Sequence, residues 1–258
     1  MALVVIPISL VIAYLIYDYI LGNPSNFVDG NPNNDPIRGN YLGTIHKGGL
    51  IVVLLISFQI IMICYVIERF LSIRYSLGKS DLTNFVLKIK NLLNANDLNG
   101  IINACDLQRG AVGNVVKTGI LTFINTRKTE KPDQKDIYLI QKELEEATQL
   151  ELPLLNSNMF ILSTIAQIST LVGLLGTVTG MIKAFASLAS VGEPDAVGLA
   201  SGISQALVTT ALGITTAAIT IVFYNYFANK IEQITYAMDE TSFSIIHTLK
   251  TKYYADNA

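Results

Sequence analysis

Three long runs of this 258-residue chain carry no charged side chain: Gly48 to Ile67, Met159 to Ile182 and Leu199 to Ala228. A helix that crosses the hydrocarbon core of a bilayer needs roughly 20 predominantly apolar residues, so each run is long enough to span. Glu68 and Arg69 close the first, and Lys230 closes the last. Charged residues make up 15% of the chain, against about 25% in soluble domains, which agrees with a membrane protein. The net charge of −2 leaves no basic surface for nucleic acid.

A shorter apolar run, Met1 to Tyr17, contains Pro7. It has no Lys or Arg before the apolar stretch, and Gly22-Asn23-Pro24 is a poor cleavage site, which argues against a signal peptide. It reads as a fourth span, with a helix lying in the interface as the alternative. Tyr14, Tyr17 and Tyr19 suit the headgroup layer under both readings. The fold expected is all-α and polytopic. Its segments are a span at 1–21, an outer loop at 22–47, a span at 48–71, a helical domain at 72–155, a span at 156–189, a short loop at 190–198, a span at 199–228 and a tail at 229–258.

Twelve of the eighteen basic residues lie between Arg69 and Lys142, two lie between Asn23 and Lys47, and none lies between Ser190 and Gly198. The positive-inside rule therefore expects the 72–155 domain and the tail in the cytoplasm of a bacterial inner-membrane protein, and the other loops outside. Asn23-Pro24, Asp29-Gly30, Asn31-Pro32 and Asp35-Pro36 predict an irregular loop. In the 72–155 domain, Asp81 and Asp97 are N-cap candidates, each ahead of a helical apolar pattern. A further helix carries Val112, Val115, Val116, Ile120 and Phe123. After a polar break at Thr126 to Pro132, Ile137, Ile140, Leu144, Ala147 and Leu150 share one helix face. One continuous helix is expected from about Asp136 to Ser187, kinked but not ended by Pro153. Cys64 and Cys105 lack metal or redox spacing and read as packing residues. No metal or cofactor is implied.

The last two spans contain no Asp, Glu or His. Ala166, Thr170, Gly173, Thr177, Gly180 and Ala184 fall at steps of four and three, which places them on one helix face. Gly202, Ala206, Thr210, Gly213 and Ala217 do the same in the last span, with Thr209, Thr216 and Thr220 beside them. Small residues let helix backbones approach closely in lipid, so Gly173, Gly176, Gly180, Gly202, Ala206 and Gly213 read as helix-packing positions. A proton relay at depth needs an ionisable group. Lys183 is the one such group here before Lys230, and it sits near the outer end. Any titrating carboxylate must come from another chain.

The run Gly173-Leu174-Leu175-Gly176-Thr177-Val178-Thr179-Gly180-Met181-Ile182, with Ala184-Phe185, resembles the third-span motif of ExbB and TolQ proteins. The run Gly202-Ile203-Ser204-Gln205-Ala206-Leu207-Val208-Thr209-Thr210-Ala211-Leu212-Gly213, then Ala217-Ala218-Ile219 and Tyr224-Asn225, resembles their last span. The chain is thereby similar to the MotA/TolQ/ExbB proton channel family over roughly Gly49 to Tyr236. The resemblance implies a homopentamer around single-span ExbD- or TolR-like partners that carry the titratable Asp. It implies a proton pathway lined by Thr177 and Thr210, with Thr209 and Gln205 nearby. Many family members have a glutamate where this chain has Gln205. The implied role is ExbB-like, energising a TonB-like protein for outer-membrane uptake; the alternatives are a TolQ-like motor acting through a TolA-like protein, or a MotA-like stator. A membrane enzyme is disfavoured because the last two spans lack convergent catalytic groups. A passive scaffold is the remaining alternative.

Overall fold

The computed structural model describes residues 2–32, 34–126, 134–189 and 195–254. The expected break at Thr126 to Pro132 and the expected loop at 190–198 fall largely outside them. The described residues form nine α-helices and no strand: α1 (Ala2–Leu15), α2 (Tyr41–His46), α3 (Leu50–Leu77), α4 (Leu82–Asn94), α5 (Leu98–Gln108), α6 (Ala111–Thr126), α7 (Gln134–Asn156), α8 (Met159–Leu188) and α9 (Ala196–Tyr254). Four helical segments are long and apolar enough to cross a membrane, including Val4–Leu21 at the N-terminal end. The protein is an all-α, polytopic membrane protein. It divides into two compact units, one of Met1–Ile67 with Met159–Tyr224, the other of Glu68–Asn158 with Asn225–Ala258.

In the first unit, α1 passes into a π-helical stretch at Ile16–Leu21, closed where Gly22 N–H donates to Tyr17 O at 2.9 Å. The segment after it is more ordered than its turn residues predict. Short 3-10 turns at Pro24–Asn26 and Val28–Gly30 lead to α2, and an isolated antiparallel bridge pairs Phe27 with Pro36. The organising residue is Asn26, which is buried. Its Nδ2 donates to Ile20 O and Leu21 O at 2.9 and 3.0 Å, and its Oδ1 accepts from Asn40 Nδ2 at 2.9 Å. Asn40 in turn caps α2 by accepting from Leu42 N and Gly43 N. A buried amide with all its partners supplied holds a loop that turn chemistry alone leaves open.

In the second unit, Asp81 and Asp97 cap α4 and α5 as their positions predict, Asp81 accepting from Thr83 N and Asn84 N and Asp97 from Gly100 N. Val112, Val115, Val116, Ile120 and Phe123 are all buried, as are Ile137, Ile140 and Leu144 of α7; Leu150, expected on the same face, is exposed. Gly119 of α6 leaves room for Leu144 of α7, since a Cβ there would overlap the Leu144 side chain. Gln108 joins the end of α3 to the start of α4: its Nε2 donates to Leu77 O at 3.0 Å and Ser80 O at 2.9 Å, and its Oε1 accepts from Ser80 N.

The single helix expected from Asp136 to Ser187 is instead two. Pro153 lies inside α7 without ending it, and the break comes at Ser157–Asn158, where Asn158 takes a φ of +59°. Asn tolerates this left-handed conformation better than most residues, and one such residue ends a helix. Arg69 sits at this break within the second unit. It is 2% exposed, pairs through Nε and Nη2 with both oxygens of Glu68 at 2.7 and 2.6 Å, and donates from Nη1 to Leu155 O at 3.2 Å. Beyond Lys230, where the apolar run ends, α9 continues unbroken to Tyr254. No Gly or Pro follows Gly213. Phe227, Ile231, Ile234, Met238, Ile245 and Leu249 keep a buried stripe at helical spacing.

Candidate functional site

The polar groups of the spans gather where α8 meets α9 in the first unit. Gly173, Gly176, Gly180, Ala184, Gly202, Ala206 and Gly213 are all buried along this seam. The approach is backbone to backbone. A Cβ at Gly180 would lie 2.7 Å from Ala206 N and Gly202 O, one at Gly202 2.6 Å from Ala184 N, and one at Gly213 2.6 Å from Ser169 O. No side chain fits these positions without moving a helix. Without a hydrophobic drive between helices in lipid, such close packing is what holds them together.

The hydroxyls of the seam divide into two groups. Ser169, Thr209, Thr216 and Thr220 are at most 1% exposed. They donate to carbonyls of their own helices, Thr209 to Gln205 O and Ala206 O at 3.0 Å and Ser169 to Ile165 O at 2.6 Å. These bonds satisfy the hydroxyls locally and permit burial. Thr177 and Thr210 are only half-buried, on one flank of the seam. Their hydroxyls hydrogen-bond to each other, and Thr210 Oγ1 also reaches Gly173 O at 3.2 Å. The pair forms a small polar site in an otherwise apolar wall, with no carboxylate beside it.

Gln205 and Thr209, expected with this pair, are placed elsewhere. Thr209 is enclosed within the seam, where a Cβ at Gly176 would overlap its side chain. Gln205 lies on the opposite flank, its amide against Gly49, whose added Cβ would sit 3.4 Å from Gln205 Nε2. Gly49 has a φ of +72° and turns the chain into α3, so glycine is required there on both counts. Beside Gln205 on that flank, Gln59 of α3 donates from Nε2 to Thr216 Oγ1 at 3.1 Å. This polar bridge between spans was missed from sequence. Its signal was a lone amide in the middle of the Gly48 to Ile67 run. One flank of the seam is thus covered by α3 and the elbow before it, while the Thr177–Thr210 flank remains open in a single chain.

No group of three or more His, Cys, Asp or Glu side chains that could hold a metal occurs among the described residues. The two cysteines are unpaired: Cys64 is exposed and Cys105 buried. Burial pushes the Cys105 thiol up to about 12, helped by Asp106, so it stays protonated and inert.

Comparison with known proteins agrees with this architecture. Residues 111–240 match the family described as the MotA/TolQ/ExbB proton channel family. The chain is 32% identical to the ExbB-like 3 biopolymer transport protein of Synechocystis sp., over 70% of this chain and 81% of that protein. It is 28% identical to the Tol-Pal system protein TolQ of Haemophilus influenzae, over 71% of this chain and 82% of TolQ. A 70-residue stretch is 41% identical to the biopolymer transport protein ExbB of Salmonella typhimurium, covering 27% of this chain and 29% of ExbB. This multi-pass bacterial membrane protein belongs to the MotA/TolQ/ExbB proton channel family and stands close to its ExbB and TolQ members.

Proposed function

We propose that this chain is the ring-forming subunit of an ion-driven inner-membrane motor of the ExbB type. Five copies surround the single transmembrane helices of an ExbD-like partner. The observation that carries this reading is the Thr177–Thr210 hydroxyl pair, half-buried on the open flank of a seam whose two spans hold no Asp, Glu or His. A wall of this kind offers hydrogen bonds to a passing ion or carboxylate but cannot titrate, so a partner's intramembrane Asp supplies the proton-binding group. Protonation neutralises that Asp and lets the partner helix move past the apolar wall, and deprotonation engages it with the next subunit. The step becomes torque. Through a TonB-like protein it energises outer-membrane transport.

The Lys and Arg distribution supports a cytoplasmic placement of the 72–155 domain and the C-terminal part of α9. The chain itself is not an enzyme in this reading. A TolQ-like role in envelope integrity is the second reading, favoured by the similarity to Haemophilus influenzae TolQ along most of both chains. Siderophore uptake and detergent sensitivity of a deletion strain separate the two roles.

The test is ion flux in proteoliposomes that contain the chain alone, the chain with its single-span partner, or the chain with an Asp→Asn partner. Flux driven by a pH gradient is expected only with the unmodified partner. Equal flux in all three would place the pathway within this chain and overturn the reading. A sodium gradient in parallel identifies the coupling ion.

A further inference from the structure

The open flank of the seam is chemically asymmetric along α8. Thr177, Thr170 and Ser163 recur at intervals of seven, two helical turns, and share one side of the helix. Gln167, three residues before Thr170 and four after Ser163, lies beside them and is exposed. Its Nε2 donates to Ser163 Oγ at a long 3.4 Å, and its carbonyl oxygen has no partner among the described residues. Beyond the Thr177–Thr210 pair the same side carries Val178, Met181 and Phe185, with Val178 and Phe185 56% and 62% exposed. The half nearest α7 carries one amide and three hydroxyls, Thr177 included, with Leu174 among them, whereas the half beyond the pair is aliphatic and aromatic.

Gln167 is not an end-of-helix residue that can reach the headgroups. It is eight residues into α8, about 12 Å at 1.5 Å per residue, and ten residues, about 15 Å, short of Thr177. An amide with an unmet carbonyl is costly in hydrocarbon, so this side of α8 cannot face lipid tails at that depth. Water on that side meets both halves of the amide.

We infer that the half of this flank nearest α7 lines a water-filled vestibule walled by Gln167, Ser163 and Thr170, through which the coupling ion passes to or from the Thr177–Thr210 pair. The apolar half beyond the pair is the dry seal. The inference rests on the reading of this flank as the ion pathway, and it makes Gln167 a pathway residue that the family resemblance did not mark.

Thiol accessibility tests it. Gln167→Cys and Ser163→Cys are placed singly in a Cys64→Ser background, the buried Cys105 being unreactive, and reconstituted with the partner. A membrane-impermeant charged methanethiosulfonate is added from the side of the 72–155 domain. Both are expected to react at least about tenfold faster than Ile168→Cys, on the other side of α8, and Val178→Cys, beyond the pair, because only a hydrated thiol forms the reactive thiolate. Modification of Gln167→Cys is expected to lower ion flux. If Gln167→Cys and Ser163→Cys react no faster than Ile168→Cys, the vestibule is refuted. If they react fast but flux is unchanged, the ion does not pass there and the inference also fails. Unchanged flux after Thr177→Val with Thr210→Val would refute the underlying pathway reading separately, since that result does not touch the labelling rates.

Discussion

Thr177 and Thr210, 33 positions apart in the chain, share a hydrogen bond between their side-chain hydroxyls across the α8–α9 seam. Valine at either position keeps the shape and removes the hydroxyl. A hydrogen bond contributes about 0.5–1.5 kcal/mol, so flux through the assembled motor should fall by up to roughly tenfold in the double valine variant, with unchanged membrane levels. Flux at the unaltered rate would exclude the pair from the pathway.

Gly202 is expected to tolerate no side chain. A Cβ there meets Ala184 N at 2.6 Å and Gly180 O at 2.7 Å, both backbone atoms that cannot swing away. Gly202→Ala should cost about 1–3 kcal/mol, more than the roughly 0.5–1 kcal/mol that Ala gains over Gly within a helix. Thermal unfolding in detergent, with Ala211→Leu on the exposed face as control, measures the difference.

Arg69 should behave as a structural cation. Arg69→Met leaves the Glu68 carboxylate without its cationic partner, though still hydrogen-bonded to Asn158, and Leu155 O without its donor. Breaking a fully buried pair costs about 3–5 kcal/mol; with Glu68 31% exposed, the expected loss is nearer about 2–3 kcal/mol. Combining Arg69→Met with Glu68→Gln should recover part of the loss in the melting temperature. No recovery would show that the carbonyl contact dominates.

His46 links α2 to the end of the first span. Its ring stacks on Tyr17 at 4.4 Å and meets Phe27 edge-on at 5.3 Å. Burial lowers its pKa, Lys47 lowers it further, and Asp18 opposes them. The unfolded segment therefore takes up the proton first as pH falls. The stability that His46 lends is full well above the ordinary His pKa of about 6.5, and is lost as pH drops from there through the lowered folded value. Protection factors of the amides in residues 22–47, with the intrinsic pH dependence of exchange divided out, should fall below about pH 6.5 and should no longer depend on pH in His46→Gln.

Cys105 should remain unmodified by a maleimide at pH 8 in the folded protein, because its thiol, raised to about 12, holds its proton. Mass spectrometry of a Cys64→Ser variant should show labelling only after denaturation. Rapid native labelling would mean that the α5–α6 packing opens readily.

The sequence by itself determined the all-α class, the three longest spans, the caps at Asp81 and Asp97 and the small-residue faces of the last two spans. Each of these is local: a charge-free run, an Asp before an apolar period, or glycines at steps of three and four report on a helix and one of its sides. The order of residues 22–47 was not legible, because it depends on Asn26 reaching carbonyls and an amide as far away as Asn40. The break at Asn158 was not legible because nothing adjacent forbids a helix there. Periodicity placed Gln205, Thr209 and Thr210 in one motif without saying which flank each would take. Only the tertiary structure decided that Thr209 is enclosed, that Gln205 turns to Gly49 and that Thr210 meets Thr177. Successive positions on a helix differ by 100°, and which of those directions is open depends on where α3 and α8 pack against α9.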